Sequence, residues 1–196
     1  MRALVLIAHP DDDSFCHAAA GRAVAGLRRA GHEVDVVDLY AQRYRAAMSL
    51  EEHLAYESDD PIKDPQVADH ADLLQRAEIL VFVYPTWWSG LPAILRGWLE
   101  RTMVPGVSFH LDPRTNKVRP GLQHVRRIVG ITTWRARRPT ALLVNDNGRR
   151  VITRALRMSC GFRTRTTWLA HYGISRSTVE RRTAFLDRIE TKMAGI

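Results

Sequence analysis

Three short turns carry the residues of this chain whose types and spacing could serve a ligand. The first is His9-Pro10-Asp11-Asp12-Asp13-Ser14-Phe15-Cys16, which leaves an apolar run and enters a helical pattern. Backbone N–H groups at a helix N-terminus attract anions, and Ser14 adds a hydroxyl donor. The same residues would also serve as a plain capped helix start, the aspartates set against the positive end of the helix dipole. The second turn is Tyr84-Pro85-Thr86-Trp87-Trp88-Ser89-Gly90-Leu91-Pro92, two adjacent indoles held between prolines. An aromatic wall with exposed amides suits a flat, hydrogen-bonding ring such as isoalloxazine; alternatively it plugs the end of a sheet. The third is Ile131-Thr132-Thr133-Trp134, with two hydroxyls and a third indole.

These turns need elements that bring them together. Ala3–Ala8 and Ile79–Tyr84 are continuous apolar runs, the pattern of strands covered on both faces. Glu33–Asp38, Ile128–Thr133 and Arg165–Ala170 supply three further strands. Between them lie helical patterns: Ser14–Ala30 with Gly31 as its stop, a helix carrying Val67, Ala71 and Leu74, and another carrying Leu91, Ile94, Leu95, Trp98 and Leu99 with Pro92 in its first turn. A helix from about Gly148 to Cys160 is expected, capped by Asp146 or Asn147. A last helix is expected to open with a Ser177–Glu180 capping box. Alternating strands and helices predict a parallel, three-layer α/β sheet with its ligand site at the strand C-terminal ends. In such a fold the three turns, following the first, third and fourth strands, share one rim. Leu39–Asp64 and Pro105–Arg126 read as long irregular segments, which are usually functional or involved in association.

Composition narrows the class. At 196 residues, against ~150 per domain, one domain over 1–196 is expected. No apolar run reaches the ~18 residues of a membrane span. Cys16 and Cys160 lack CxxC spacing, and the short apolar start Met1–Ala8 is not a signal peptide, so a reducing cytoplasm is the expected setting. Residues 1–100 hold nine basic against sixteen acidic residues, a balance of −7; the remainder holds twenty against five, +15. That asymmetry fits a pocket for an anionic cofactor. Nucleic acid is disfavoured because no helix-turn-helix, zinc-finger or RNA-binding signature accompanies the charge. Neither GxGxxG nor GxxxxGKS is present, which disfavours a dinucleotide fingerprint and a P-loop.

The run YPTWWSGLPAILRGWLERTMVPGVSF resembles the signature of the flavodoxin-like NAD(P)H:quinone oxidoreductases through Pro85, Trp88, Gly90, Pro92, Ala93, Leu95, Arg96, Gly97, Trp98, Glu100 and Arg101, then Gly106 and Phe109. His9, Ser14 and Phe15 match that family's H-x-x-x-x-S-F turn, and Thr132-Thr133 its T-T turn. The resemblance implies a flavodoxin-like five-stranded sheet in the order 2-1-3-4-5, tightly bound FMN or FAD, NAD(P)H as co-substrate, a quinone-like acceptor, and a homodimer with shared active sites. It implies that His9, Ser14, Phe15 and Cys16 hold the ribityl phosphate. Pro85, Thr86, Trp87, Trp88 and Ser89, joined by Thr132 and Thr133, would contact the isoalloxazine. Phe109 would line a substrate pocket, contributed across the dimer. Trp134 and Arg135 stand where relatives of this kind carry glycines, so Trp134 is expected where nicotinamide or quinone would stack. Arg135, Arg137 and Arg138 could pair with an NADPH phosphate.

Two other classes compete. Ala8-His9-Pro10-Asp11-Asp12 resembles the opening of zinc-dependent de-N-acetylases, although Asp13 replaces the Glu and no later H-x-x-H pair supplies a third ligand. A non-catalytic flavodoxin-like regulatory subunit is the other. No metal is expected at the three turns.

Overall fold

The computed structural model describes residues 1–196 apart from Pro113 and Asn116. In chain order the elements are β1 (Arg2–Ile7), α1 (Phe15–Arg29), β2 (Glu33–Asp38), α2 (Leu50–Ala55), α3 (Pro65–Arg76), β3 (Ile79–Pro85) and α4 (Ala93–Thr102). Then come β4 (Phe109–Leu111), β5 (Val118–Pro120), β6 (Arg127–Trp134), α5 (Arg138–Leu143) and α6 (Asn147–Arg150). A π-helical turn (Val151–Ala155), α7 (Leu156–Cys160), β7 (Arg165–Tyr172), a 3-10 turn (Ile174–Arg176) and α8 (Val179–Ala194) complete the chain.

Five strands form one sheet in the order β2-β1-β3-β6-β7, every neighbouring pair parallel. β4 and β5 pair with each other as a separate antiparallel hairpin, so the main sheet keeps the 2-1-3-4-5 order expected for its five strands. The central strand β3 is buried at all seven positions, which explains its unbroken apolar run. Edge strand β2 exposes Glu33, Asp35 and Val36, buries only Val37, and so tolerates the acidic pattern EVDVVD. One face of the sheet packs Leu4, Leu6, Phe82 and Tyr84 against α3 and α4, with Trp98 fully buried at its centre. The other packs Val5, Val81 and Ile131 against α1 and α8. Those two helices nearly touch at Gly26, where a Cβ would lie 2.4 Å from the Glu190 carbonyl oxygen.

Several local expectations are corrected. Pro92 precedes α4 as its N-cap, its ψ of 146° lying outside the helical range. The predicted helix 148–160 is divided: Asp146 in left-handed conformation caps α6, and the π-helical turn separates α6 from α7. Thr178, one residue past the expected Ser177, caps α8 by accepting from the Arg181 amide; Ser177 is buried instead against His171. Residues 39–64 contain α2, closed by a capping box between Ser49 and Glu52. Residues 105–126 contain the β4–β5 hairpin.

The segment 39–64 is anchored to α4 by Arg101, whose side chain has no exposed surface. Its guanidinium donates to Glu52 (2.8 Å), to Asp64 (2.7 Å) and to the Arg45 carbonyl (2.5 Å). The Tyr44 ring lies 5.1 Å beneath it. Burial alone would raise the Glu52 carboxyl, but hydrogen bonds from Arg101 and Ser49 hold it below its ordinary value. Asp64 is lowered chiefly by its hydrogen bond from Arg101.

Candidate functional site

Register brings the three turns to one rim. Ile7 pairs with Val83, Tyr84 with Thr132, and Pro85 with Thr133, so β1, β3 and β6 end level with one another. The Ala8 amide donates to the Val83 carbonyl (3.0 Å), and the Thr86 amide to the Thr133 carbonyl (2.8 Å). Ligand sites of open α/β sheets lie at such strand ends.

The first turn is locked by its own polar groups. The Asp11 amide donates to His9 Nδ1 (3.1 Å), and the Ser14 amide to the Asp11 carbonyl (3.1 Å). Ser14 is the N-cap of α1, its Oγ accepting from the His17 amide (3.3 Å). The Phe15 and Cys16 amides belong to the first helical turn, which has no carbonyl within the helix to bond. They remain available to an anion. The Cys16 thiol is buried, 4.0 Å from Thr133 Oγ1, and burial pushes it up to about 11.

The second turn is strained. Trp87 and Gly90 bridge, and between them Trp88 (φ 48°) and Ser89 (φ 59°) both adopt left-handed backbone. Two successive positive φ values define a tight turn that ordinarily uses Asn or Gly. Non-glycine residues held there store strain of the kind that clusters at ligand clamps. Trp88 projects fully into solvent, and Trp87 is half-exposed with its ring 6.0 Å from that of His9. Thr86 Oγ1 and Thr132 Oγ1 share a 2.9 Å hydrogen bond, joining the second turn to the third.

Of the residues expected at the site, His9, Ser14, Phe15, Cys16, Pro85, Thr86, Trp87, Trp88, Ser89, Thr132 and Thr133 thus lie on the three adjoining turns. Trp134 and Phe109 are placed differently. The Trp134 ring is buried, 6.3 Å from that of Tyr172, its indole nitrogen without a partner among the described residues. Strand alternation puts it on the face of Thr132, opposite Thr133. Phe109 begins the β4–β5 hairpin, outside the main sheet.

Sequence reasoning missed one feature and half of another, having named Arg135, Arg137 and Arg138 but not Arg176, Arg181 and Arg188. His17, one turn into α1, meets Asp38 at the end of β2: Nε2 to Oδ2 is 2.7 Å, and Nδ1 lies 2.9 Å from Ser14 Oγ. Asp12, His17 and Asp38 are the group of candidate metal-ligand residues that converges among the described residues, in place of a His9–Asp11–Asp12 set. The only sequence signal was that Asp38 ends a strand neighbouring the first turn. The second feature is an open concavity of about 1290 Å³ at the β6–β7 end of the same rim, lined by Arg135, Arg137, Arg138, Arg176, Arg181 and Arg188. None of the six forms an ion pair among the described residues. Its inner wall includes His171 and Phe185, which contact Phe15 at ring separations of 5.6 and 6.2 Å. Burial, then Arg181 and Arg182, hold His171 below its ordinary value. The arginine-rich second half of the sequence foreshadowed the charge; its convergence required the fold.

A family model described as a flavodoxin-like fold matches residues 1–190. The guinea pig (Cavia porcellus) NAD(P)H dehydrogenase [quinone] 1 is 30% identical over 147 residues, covering 67% of this chain and 53% of that protein. The chain therefore spans about half the length of that relative. An NAD(P)H:quinone oxidoreductase from Methanothermobacter marburgensis superposes with a TM-score of 0.81 at 24% identity, covering 100% of this chain and 96% of that one. An FMN-dependent NADH-azoreductase from Bacillus anthracis, solved with FMN, superposes with a TM-score of 0.76 at 12% identity, covering 99% and 98%. At these identities the superpositions establish the shared fold. No helix among the described residues is long and apolar enough to cross a membrane.

Proposed function

Since the chain belongs to the flavodoxin-like fold family, we propose that it is a flavin-dependent NAD(P)H oxidoreductase acting as a single unit over 1–196. The observation that carries this reading is the strained, solvent-facing Trp87–Gly90 turn set against the free first-turn amides of α1 across one rim. The relatives named for NAD(P)H and quinone chemistry, and the FMN held by the azoreductase, support it.

The residues fit the group. Ser14, Phe15 and Cys16, with His9 beside them, form an anion cradle for the ribityl phosphate. Thr86, Trp87, Trp88 and Ser89 offer amides and ring faces to the isoalloxazine edge, with Pro85 stiffening the strand end and Thr132 and Thr133 closing the far side. The flavin, FMN or FAD, supplies two-electron hydride chemistry between NAD(P)H and a quinone-like acceptor. The protein's contribution is to bind, orient and shield. The arginine concavity beside Phe15 suits the diphosphate of a dinucleotide, either the outer half of FAD or NAD(P)H itself. A second copy of this chain completes the pocket with its Phe109. The exposed apolar residues Trp88, Leu142 and Leu143 are of the kind a dimer face buries.

The test is purification and release. Yellow protein, bleached by NADPH and recoloured by a quinone, supports the proposal; the mass of the chromophore freed on heating separates FMN from FAD. Colourless protein that takes up neither flavin on reconstitution overturns it.

A further inference from the structure

We infer that the turn after α7, residues 161–165, is a docking tip for a bilayer surface carrying anionic headgroups. The inference is independent of the flavin reading, because this turn lies at the opposite end of the sheet from the rim. β7 runs from Arg165 there to Tyr172 at the arginine concavity, and its eight residues at ~3.3 Å each span about 26 Å. α7 turns Leu156 and Cys160 into the core and leaves Met158 on its outer face. Gly161 ends the helix at φ 103° and ψ 171°, backbone that only glycine adopts without strain. The Arg157 guanidinium donates to the Phe162 carbonyl (2.7 Å), and the Thr164 amide to the Gly161 carbonyl (3.3 Å). The buried Thr164 hydroxyl donates to the Val125 carbonyl (2.7 Å). The turn is thus fixed by its own bonds, and it holds Phe162 98% exposed beside a Met158 that is 79% exposed.

Charge identifies what covers this tip. Residues 147–179 contain seven arginines and not one Asp or Glu. Of these, Arg154, Arg157, Arg163 and Arg165 flank the tip along the chain, and none forms an ion pair among the described residues. Glu78, a carboxylate at this end of the sheet, is taken by Arg126 at 3.1 Å. Arg127 and Arg165 open neighbouring strands in register, which sets two like charges side by side. An anionic partner relieves that repulsion. An exposed ring and thioether among guanidinium groups match a membrane interface in particular. The apolar groups enter the boundary between headgroups and acyl chains while the arginines stay at phosphate level. Single-stranded nucleic acid is held by successive aromatic platforms, whereas this tip offers one ring and a thioether.

Docking in this orientation turns the rim away from the bilayer and leaves it open to ligands arriving from water. Attachment through one small tip is reversible and weakened by salt.

The experiment is co-sedimentation of the full chain with vesicles of phosphatidylcholine alone, or with about one-third phosphatidylserine, at low salt and at ~0.5 M salt. Wild type is expected to bind the mixed vesicles at low salt, to leave them at high salt and to ignore phosphatidylcholine. Phe162→Ala should bind about tenfold more weakly. Arg163→Gln combined with Arg165→Gln should bind about twentyfold more weakly, each arginine contributing about a factor of five. Phe162→Leu should bind as wild type does, since a bilayer accepts any apolar side chain. All three side chains are exposed, so the urea midpoints of these variants should match wild type. Failure of wild type to bind the mixed vesicles overturns the inference. Binding that the variants leave unaltered also overturns it, by placing the lipid contact on another basic surface. Self-association that Phe162→Ala abolishes would assign the tip to a second copy of this chain. Tighter binding to a single-stranded oligonucleotide that Phe162→Leu abolishes would assign it to nucleic acid. Either result overturns the inference and leaves the flavin reading standing.

Discussion

The Gly90 amide donates to the Trp87 carbonyl across 3.0 Å, and this bond holds Trp88 and Ser89 in left-handed backbone at the tip of the second turn. A side chain in that conformation costs about 1–2 kcal/mol that glycine avoids. Ser89→Gly should therefore raise stability by about 0.5–1 kcal/mol, the gain reduced by glycine's freer unfolded chain. A urea midpoint that falls instead would show that Ser89 makes a compensating contact.

Trp88 separates stability from binding. Its ring is fully exposed, so Trp88→Ala should leave the unfolding midpoint within about 0.5 kcal/mol of wild type. If the ring stacks on flavin, the same substitution weakens flavin binding by about tenfold, readable as loss of absorbance after dialysis. Unchanged flavin retention would remove Trp88 from the ring wall.

The two cysteines should be inert. Burial pushes the Cys16 thiol up to about 11 and the Cys160 thiol up to about 12, far from thiolate at neutral pH. Mass spectrometry after iodoacetamide treatment at pH about 8 should find the folded chain unmodified and the denatured chain modified twice. Rapid labelling of Cys16 in the native state would mean that the Cys16–Thr133 contact opens.

Much of this arrangement is legible in single residues of the chain. The EVDVVD strand Glu33–Asp38 has the bounds expected, because Gly31 and the apolar alternation punctuate it on both sides. Ser14 is readable as a cap since its neighbours switch from Asp-rich turn to apolar period at that point. What escapes is long-range pairing. His17 finds Asp38 only because β2 lies beside β1, and the six arginines come from β6–α5, the 3-10 turn and α8. The burial of the Trp134 ring against Tyr172 likewise depends on the β6–β7 pairing. α2 is short, and its Ser49–Glu52 signal sits inside a polar stretch with no apolar period to mark a helix.

Arg101 supplies the clearest pH prediction. Its buried guanidinium is paired by Glu52 and Asp64, and removing one partner of such a set leaves charge uncompensated in the interior. Glu52→Gln should cost about 3 kcal/mol at neutral pH. Both carboxyls are held below their ordinary values in the folded chain, so they bind protons less readily folded than unfolded. Their stabilisation is complete above the unfolded values, roughly 4, and is lost as pH falls through the lower folded ones. Wild type should therefore lose stability steeply between about pH 5 and about pH 2, while Glu52→Gln, already lacking one of the two groups, should lose less over that interval. Urea unfolding at both ends of the interval decides it: equal losses in the two proteins would mean that Arg101 draws its compensation from Asp64 alone.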